Sequence, residues 1–221
     1  MTKRDRPTAE TYSALQTAYE FFNRQLFCGH LPDCLITLHR KDKRMYGYFW
    51  GSRFTHLEDP RERRTDEIAL NPSRFTAAGI EDVLSTLVHE MVHLWQHHFG
   101  TPSRAGYHNR EWAAKMKEIG LYPSSTGAPG GKETSQNMSH YVIAGEAFAT
   151  ACAALVSEGF KLAWGEIADA VRDIDKGDDT NRSRRMKYTC PSCEANAWGN
   201  PIWRLSAAIA KRRSWRRRTR C

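Results

Sequence analysis

The sequence predicts an α+β fold in which a small mixed sheet is packed against several helices. Two apolar stripes support this. Tyr12, Leu15, Tyr19, Phe22 and Leu26 recur at helical spacing, as do Ile80, Val83, Leu84, Leu87, Val88, Met91 and Leu94. Three short β-prone runs lie between them, at Leu35 to Leu38, Tyr46 to Phe54 and Glu67 to Leu70. The third observation is chemical: the second helix carries His89-Glu90-x-x-His93. A chain of 221 residues has room for one main domain and a small appendage.

Thr8 opens the first helix, whose aromatic stripe reads as core. Gly29-His30-Leu31-Pro32 is a turn, with His30 a loop residue. Arg40 to Arg44 reads as a solvated hairpin loop between the first two strands, and Arg61 to Arg64 as a second solvated run. Gly47 and Gly51 predict a twisted or bulged second strand. Asn71-Pro72 ends the third. The second helix then runs from Ile80 to Gly100, with Glu81 and Asp82 in the first turn, where the helix dipole favours acids, and Gly100 as a left-handed cap.

A four-residue step is just over one helical turn, so His89 and His93 leave the same face, as two ligands of one tetrahedral ion must. Glu90 is turned by about 100° from His89, free to take a proton from water instead of binding metal. A catalytic zinc needs a third protein ligand. His108 is the leading candidate, because Asn109 caps a helix over residues 110 to 119 that Gly120 ends, with Trp112, Met116 and Ile119 facing inward. Glu146 is the alternative. His97 is one turn beyond His93, but three histidines on one straight helix cannot converge on one ion, and His98 reads as solvated.

Residues 123 to 137 form a polar loop rich in Gly and Pro, read either as a rim of the cleft or as a plain exposed connection. Ser139 to Tyr141 leads into an Ala-rich helix reaching Leu155 and ending near Gly159. His140 and Tyr141 are candidate donors to a tetrahedral oxyanion, against a reading as surface aromatics beside a capping serine. Phe160 to Trp164 is a further strand candidate. Asp169 to Asp179 is acidic and Arg182 to Lys187 basic, which is linker composition.

The formal charge of +8 is unevenly placed: residues 204 to 221 hold eight Lys or Arg and no acid, leaving 25 basic and 25 acidic residues before them. The body therefore gives no electrostatic argument for nucleic acid. The tail acts at most as a nonspecific polycation, with Trp203 and Trp215 able to stack on bases. Six scattered cysteines do not suggest a disulfide framework. With no run of 18 apolar residues and no apolar leader, a soluble cytoplasmic protein without membrane association is expected.

Taken together, His89-Glu90-Met91-Val92-His93-Leu94-Trp95, the following Tyr107-His108-Asn109-x-x-Trp112, and Lys187-Tyr188-Thr189-Cys190-Pro191-x-Cys193 resemble the SprT-like family, related to the Spartan DNA–protein crosslink proteases. The resemblance spans about residues 8 to 200. It implies a zincin-like metalloprotease domain over 8–168, a charged linker over 169–187 and a zinc-ribbon segment over 188–221. It also implies one catalytic zinc on His89, His93 and His108, with Glu90 as general base. The implied substrates are proteins, including DNA-associated or DNA-crosslinked ones, held extended along an edge strand; DNA is then a partner, and nucleoid association would follow. The rival readings are a non-catalytic zinc protein that binds nucleic acid or a partner, and a damaged copy of such an enzyme.

The ribbon is incomplete. Cys190 and Cys193 supply half of a structural zinc site and call for a second pair roughly 12 to 20 residues later, yet only Cys221 follows. Ala207 to Ala210 suggests why. GCN-GCN-ATH-GCN read one base earlier can spell Cys-Gly-Asp-Cys, so residues from about 201 onward read as an out-of-frame translation. The gene's nucleotide sequence is expected to carry a cysteine pair in that frame, for example TGC-GGC-GAT-TGC; a frame lacking the pair removes the explanation.

Overall fold

The computed structural model describes residues 6–39, 45–76, 78–166, 186–189 and 196–199. They belong to two units, Met1–Arg172 and Asp173–Cys221. The first is a mixed α+β domain of small sheets and helices, as the periodicity predicts.

Helix α1 (Pro7–Phe27) begins with a proline in its first turn, where no amide partner is lost, and ends in a left-handed cap at Cys28. Leu15, Ala18, Tyr19 and Phe22 are buried, whereas Tyr12 is 40% exposed and drops out of the expected stripe. The Asn23 side chain both accepts from the Leu31 amide and donates to the Leu31 carbonyl, which fixes the turn after the helix.

Strands β1 (Leu35–Leu38), β2 (Gly47–His56) and β3 (Asp59–Leu70) form one sheet in the order β1-β3-β2. β1 pairs parallel to β3, and β2 antiparallel to it. The expected hairpin between the first two strands is therefore corrected: these strands are not neighbours, and residues 40–44 lie outside the described ones. The hairpin instead joins β2 to β3, turning at Leu57-Glu58. It draws Arg61 to Arg64 into β3, although all four are exposed. Cross-strand pairs such as Thr55 with Arg64 supply the ladder that local composition does not announce. The bulge signalled by Gly51 is present as a register shift between Trp50 and Phe54.

Helix α2 (Ile80–Phe99) runs through the core, with Leu84, Leu87, Val88, Met91, Val92 and Leu94 fully buried. Gly100 caps it in an extended conformation, not the left-handed one expected. Helix α3 (Arg110–Glu118) is capped by Asn109, whose side chain accepts from the Trp112 amide at 3.0 Å. Strands β4 (Leu121–Ser124) and β5 (Ser139–Val142) pair antiparallel, so Ser139 to Tyr141 is strand and not a helix start. Helix α4 (Ala147–Ser157) closes the core by stacking Phe148 on Phe22 at 5.6 Å. Phe160 to Trp164 is not a strand; the Trp164 indole donates to Glu10 at 2.7 Å.

In the second unit, β6 (Met186–Thr189) and β7 (Asn196–Gly199) pair antiparallel. Cys190, Cys193 and everything from residue 200 onward lie outside the described residues, as do residues 169–185 of the expected linker; its last two, Met186 and Lys187, belong to β6. No described helix is long and apolar enough to cross a membrane.

Phe22 is fully buried between Phe21 and Phe148. Phe22→Ala is expected to cost about 3–5 kcal/mol of unfolding free energy, read from the denaturant midpoint.

Candidate metal centre

His89 and His93 lie one turn apart on α2, with ring centroids 5.3 Å apart. His108 reaches the same place from outside the helix, one residue before the cap of α3. Its Nε2 stands 3.1 Å from Nε2 of His93. Nitrogens of all three imidazoles lie within 4.8 Å of one another. Among the described residues, His89, His93 and His108 form one of two groups able to hold a metal ion, and Glu146 belongs to neither. Glu146 is exposed at the start of α4, which corrects the alternative third ligand.

The position of His108 is set by its neighbours. Its amide donates to the Ser135 carbonyl at 2.9 Å, and its Nδ1 lies 3.2 Å from the same oxygen. A carbonyl only accepts, so Nδ1 carries the proton and Nε2 presents its lone pair towards His93. Gln96 on α2 donates to Asn109 at 2.8 Å and to Glu111 at 2.7 Å. Glu111 also accepts from the Thr101 amide, and the Asn109 side chain donates to the Thr101 carbonyl. These bonds tie the end of α2 to the start of α3 across the turn that carries His108. The Trp112 indole stacks on His93 at 5.3 Å and meets His108 edge-on at 4.5 Å.

The loop over residues 125–138 is tied down by side-chain bonds. Glu133 accepts from Lys117 at 2.6 Å and from the Tyr122 hydroxyl, and Gln136 donates to the Ala105 carbonyl at 3.0 Å. Tyr141 stacks on Tyr122 at 5.2 Å as part of this brace. His140 faces inward, with its Nδ1 3.0 Å from Nδ1 of His89. Of the two expected oxyanion donors, His140 thus meets His89 through Nδ1, and Tyr141 packs its ring on its strand neighbour.

Burial controls the electrostatics. It pushes the imidazoles of His89 and His93 down, with nearby histidines adding to the effect; His93 falls to about 3. His108 is lowered by burial, and burial takes His140 to about 4. At neutral pH these rings are uncharged, so no proton need be displaced before a metal binds. Glu90 is buried on the same helix, and burial raises its carboxyl to about 8. A Cβ on Gly47 of β2 would come within 3.1 Å of Glu90 Oε1 and 2.9 Å of the Ala69 carbonyl, so the strand passes directly over this carboxyl.

This donor set fits a metal. Two Nε2 atoms face each other at hydrogen-bond distance with the His108 proton already placed on Nδ1, and three neutral nitrogens within reach of one point suit a borderline divalent ion with an open position. Sequence reasoning missed Ser135, Gln96 and the inward role of His140. His98 is exposed, as expected, and its Nε2 also lies 2.6 Å from Asp66, a contact the sequence did not indicate.

Fold and site define a small α+β domain whose central helix presents two histidines to a third from the turn that precedes the next helix. The chain belongs to the SprT-like family, whose model matches residues 15–135. A stretch of 52 residues is 58% identical to an uncharacterized protein in the mucB 3′ region of Salmonella typhimurium, covering 24% of this chain and 69% of that one.

Protonation predicts how the metal-free protein responds to pH. The four histidines have folded values below the ordinary 6.5, so their stabilisation is complete above that pH and drains as pH falls towards the folded values. Glu90, raised from 4.5 to about 8, has the opposite sign: its contribution is complete below 4.5 and is lost as pH rises through 8. Thermal midpoints of metal-free protein should therefore peak at about pH 6–7. Glu90→Gln should retain the acid limb and flatten the alkaline one; an unchanged alkaline limb would show that this carboxyl is not buried as described.

Proposed function

We propose that this protein is a zinc-dependent metallopeptidase, with His89, His93 and His108 holding the ion and Glu90 acting as general base. The observation that carries the reading is the convergence of three imidazoles, with the His108 lone pair turned inward by the Ser135 carbonyl. SprT-like membership supports it. Zinc, when bound, lowers the pKa of water towards about 7 and polarises a carbonyl.

The chain's own residues supply the rest. Glu90 takes a proton from the attacking water and returns it to the leaving amine. Burial favours the protonated form of this carboxyl, and a nearby cation opposes that shift, so the group is poised to exchange its proton near neutral pH. The substrate runs extended along β2, an edge strand of its sheet that passes over Glu90 at Gly47. His140 is a positioning residue that holds His89 through its Nδ1, in the place a carboxylate or carbonyl often takes.

The substrates are proteins, and DNA-associated or DNA-crosslinked proteins are the class the family relationship favours. The domain plan is a catalytic body over 8–168, a linker over 169–187 and a ribbon segment from 188, in a cytoplasmic protein. The β6–β7 hairpin flanks Cys190 and Cys193 in sequence, which suits one half of a ribbon.

Glu90→Gln should keep its zinc and lower peptide hydrolysis by at least about 10²-fold, measured on casein and on a DNA–protein conjugate. A zinc-loaded parent inert towards both substrates would favour the binding-protein reading instead. His140→Ala should weaken zinc affinity by about 10–100-fold in a chelator competition; unchanged affinity would remove its positioning role.

A further inference from the structure

A second cluster stands one helical turn beyond His93, on the sheet side of α2. Asp66 of β3 is 5% exposed, and His97 and His98 flank it. His98 Nε2 is 2.6 Å from Asp66 Oδ2, and His97 Nε2 is 3.9 Å from Oδ1. Successive helical residues point about 100° apart, so two adjacent histidines seldom serve one point. Here both turn towards one carboxylate, and one ligand atom from each of the three residues falls within 4.8 Å of the others.

The surroundings are shaped for this. The Ser52 amide donates to Asp66 Oδ1 at 2.6 Å, with Ser52 at φ 50°, the left-handed region an ordinary residue rarely adopts. That conformation lies inside the β2 bulge, where the register shifts between Trp50 and Phe54. At Gly51 a Cβ would stand 2.6 Å from His97 Cε1, so the missing side chain is what admits the His97 ring. A glycine, a strained serine and a buried carboxylate thus hold one face of the cluster. The two imidazoles, 38% and 36% exposed, leave the other face open to solvent.

We propose that Asp66, His97 and His98 form a second divalent transition-metal site, which clips the β2–β3 hairpin to the C-terminal end of α2. Two imidazoles and a carboxylate are the donors of zinc and its borderline neighbours; magnesium and calcium call for more oxygen. Ligand atoms on one tetrahedral zinc stand about 3.3 Å apart, so closure needs about 1 Å of movement, within the reach of two half-exposed rings. The fourth position is left to water. The site is independent of the catalytic reading, since it shares no residue with it.

The test is a count of bound zinc. Full-length protein carrying Cys190→Ser and Cys193→Ser, which removes that thiolate pair, is dialysed against micromolar zinc and its metal measured by mass spectrometry. His97→Ala/His98→Ala should lower the content by one equivalent, and so should Asp66→Asn, which keeps the shape and the acceptor for Ser52. His89→Ala/His93→Ala should remove a different equivalent and leave this one. Undiminished zinc in the His97/His98 variant overturns the site. Retention in Asp66→Asn with loss in the histidine variant overturns it too, because exposed imidazoles alone would then explain the binding. His98→Gln is a milder variant should either fold poorly, and it too should lose the equivalent. A missing first equivalent with this one intact would count against the catalytic centre alone.

Discussion

Burying several uncharged imidazoles side by side leaves lone pairs that water can no longer satisfy, and that cost governs how the domain is built. His89 and His108 are buried, and Nε2 of His93 faces Nε2 of His108 at 3.1 Å. With the His108 proton held on Nδ1 by the Ser135 carbonyl, its Nε2 can only accept, and in the metal-free protein a neutral His93 protonated on Nε2 donates to it. A cation bound at that point would take the place of the shared proton, with His93 shifting to its other tautomer. The packing of α2 against α1, α4 and the sheet keeps the rings from relaxing apart.

Most of the polar framework serves this arrangement. Gln96, Asn109, Glu111 and Thr101 join two helices across the turn that delivers His108, while the brace of Lys117, Glu133 and Tyr122 secures the loop whose carbonyl orients it. β5 places His140 behind His89. The neighbouring group of Asp66, His97 and His98 lies further along α2, where the helix end meets the bulged strand, with its imidazoles exposed.

Local signals made much of this readable from the sequence. The stripe of α2, the four-residue step between His89 and His93, and the Asn109 cap all act within one or two turns. The misses depended on distant pairing. Arg61 to Arg64 looks like solvated loop until β2 supplies a ladder, and Ser139 to Val142 becomes strand only because Leu121 to Ser124 lies beside it. His140 and His98 drew bland or different readings because their partners, His89 and Asp66, are 51 and 32 residues away. Tyr12 shows the converse, a helical period continuing onto a face that the fold leaves half-exposed.

The most direct test is a crystal of the zinc-soaked protein with anomalous data collected on both sides of the zinc edge. A peak bonded at about 2.0–2.1 Å to nitrogens of His89, His93 and His108, with Glu90 close by but not bonded, is the predicted result. A zinc at His89 and His93 that leaves His108 unbonded, or no zinc there while other sites fill, would contradict the account.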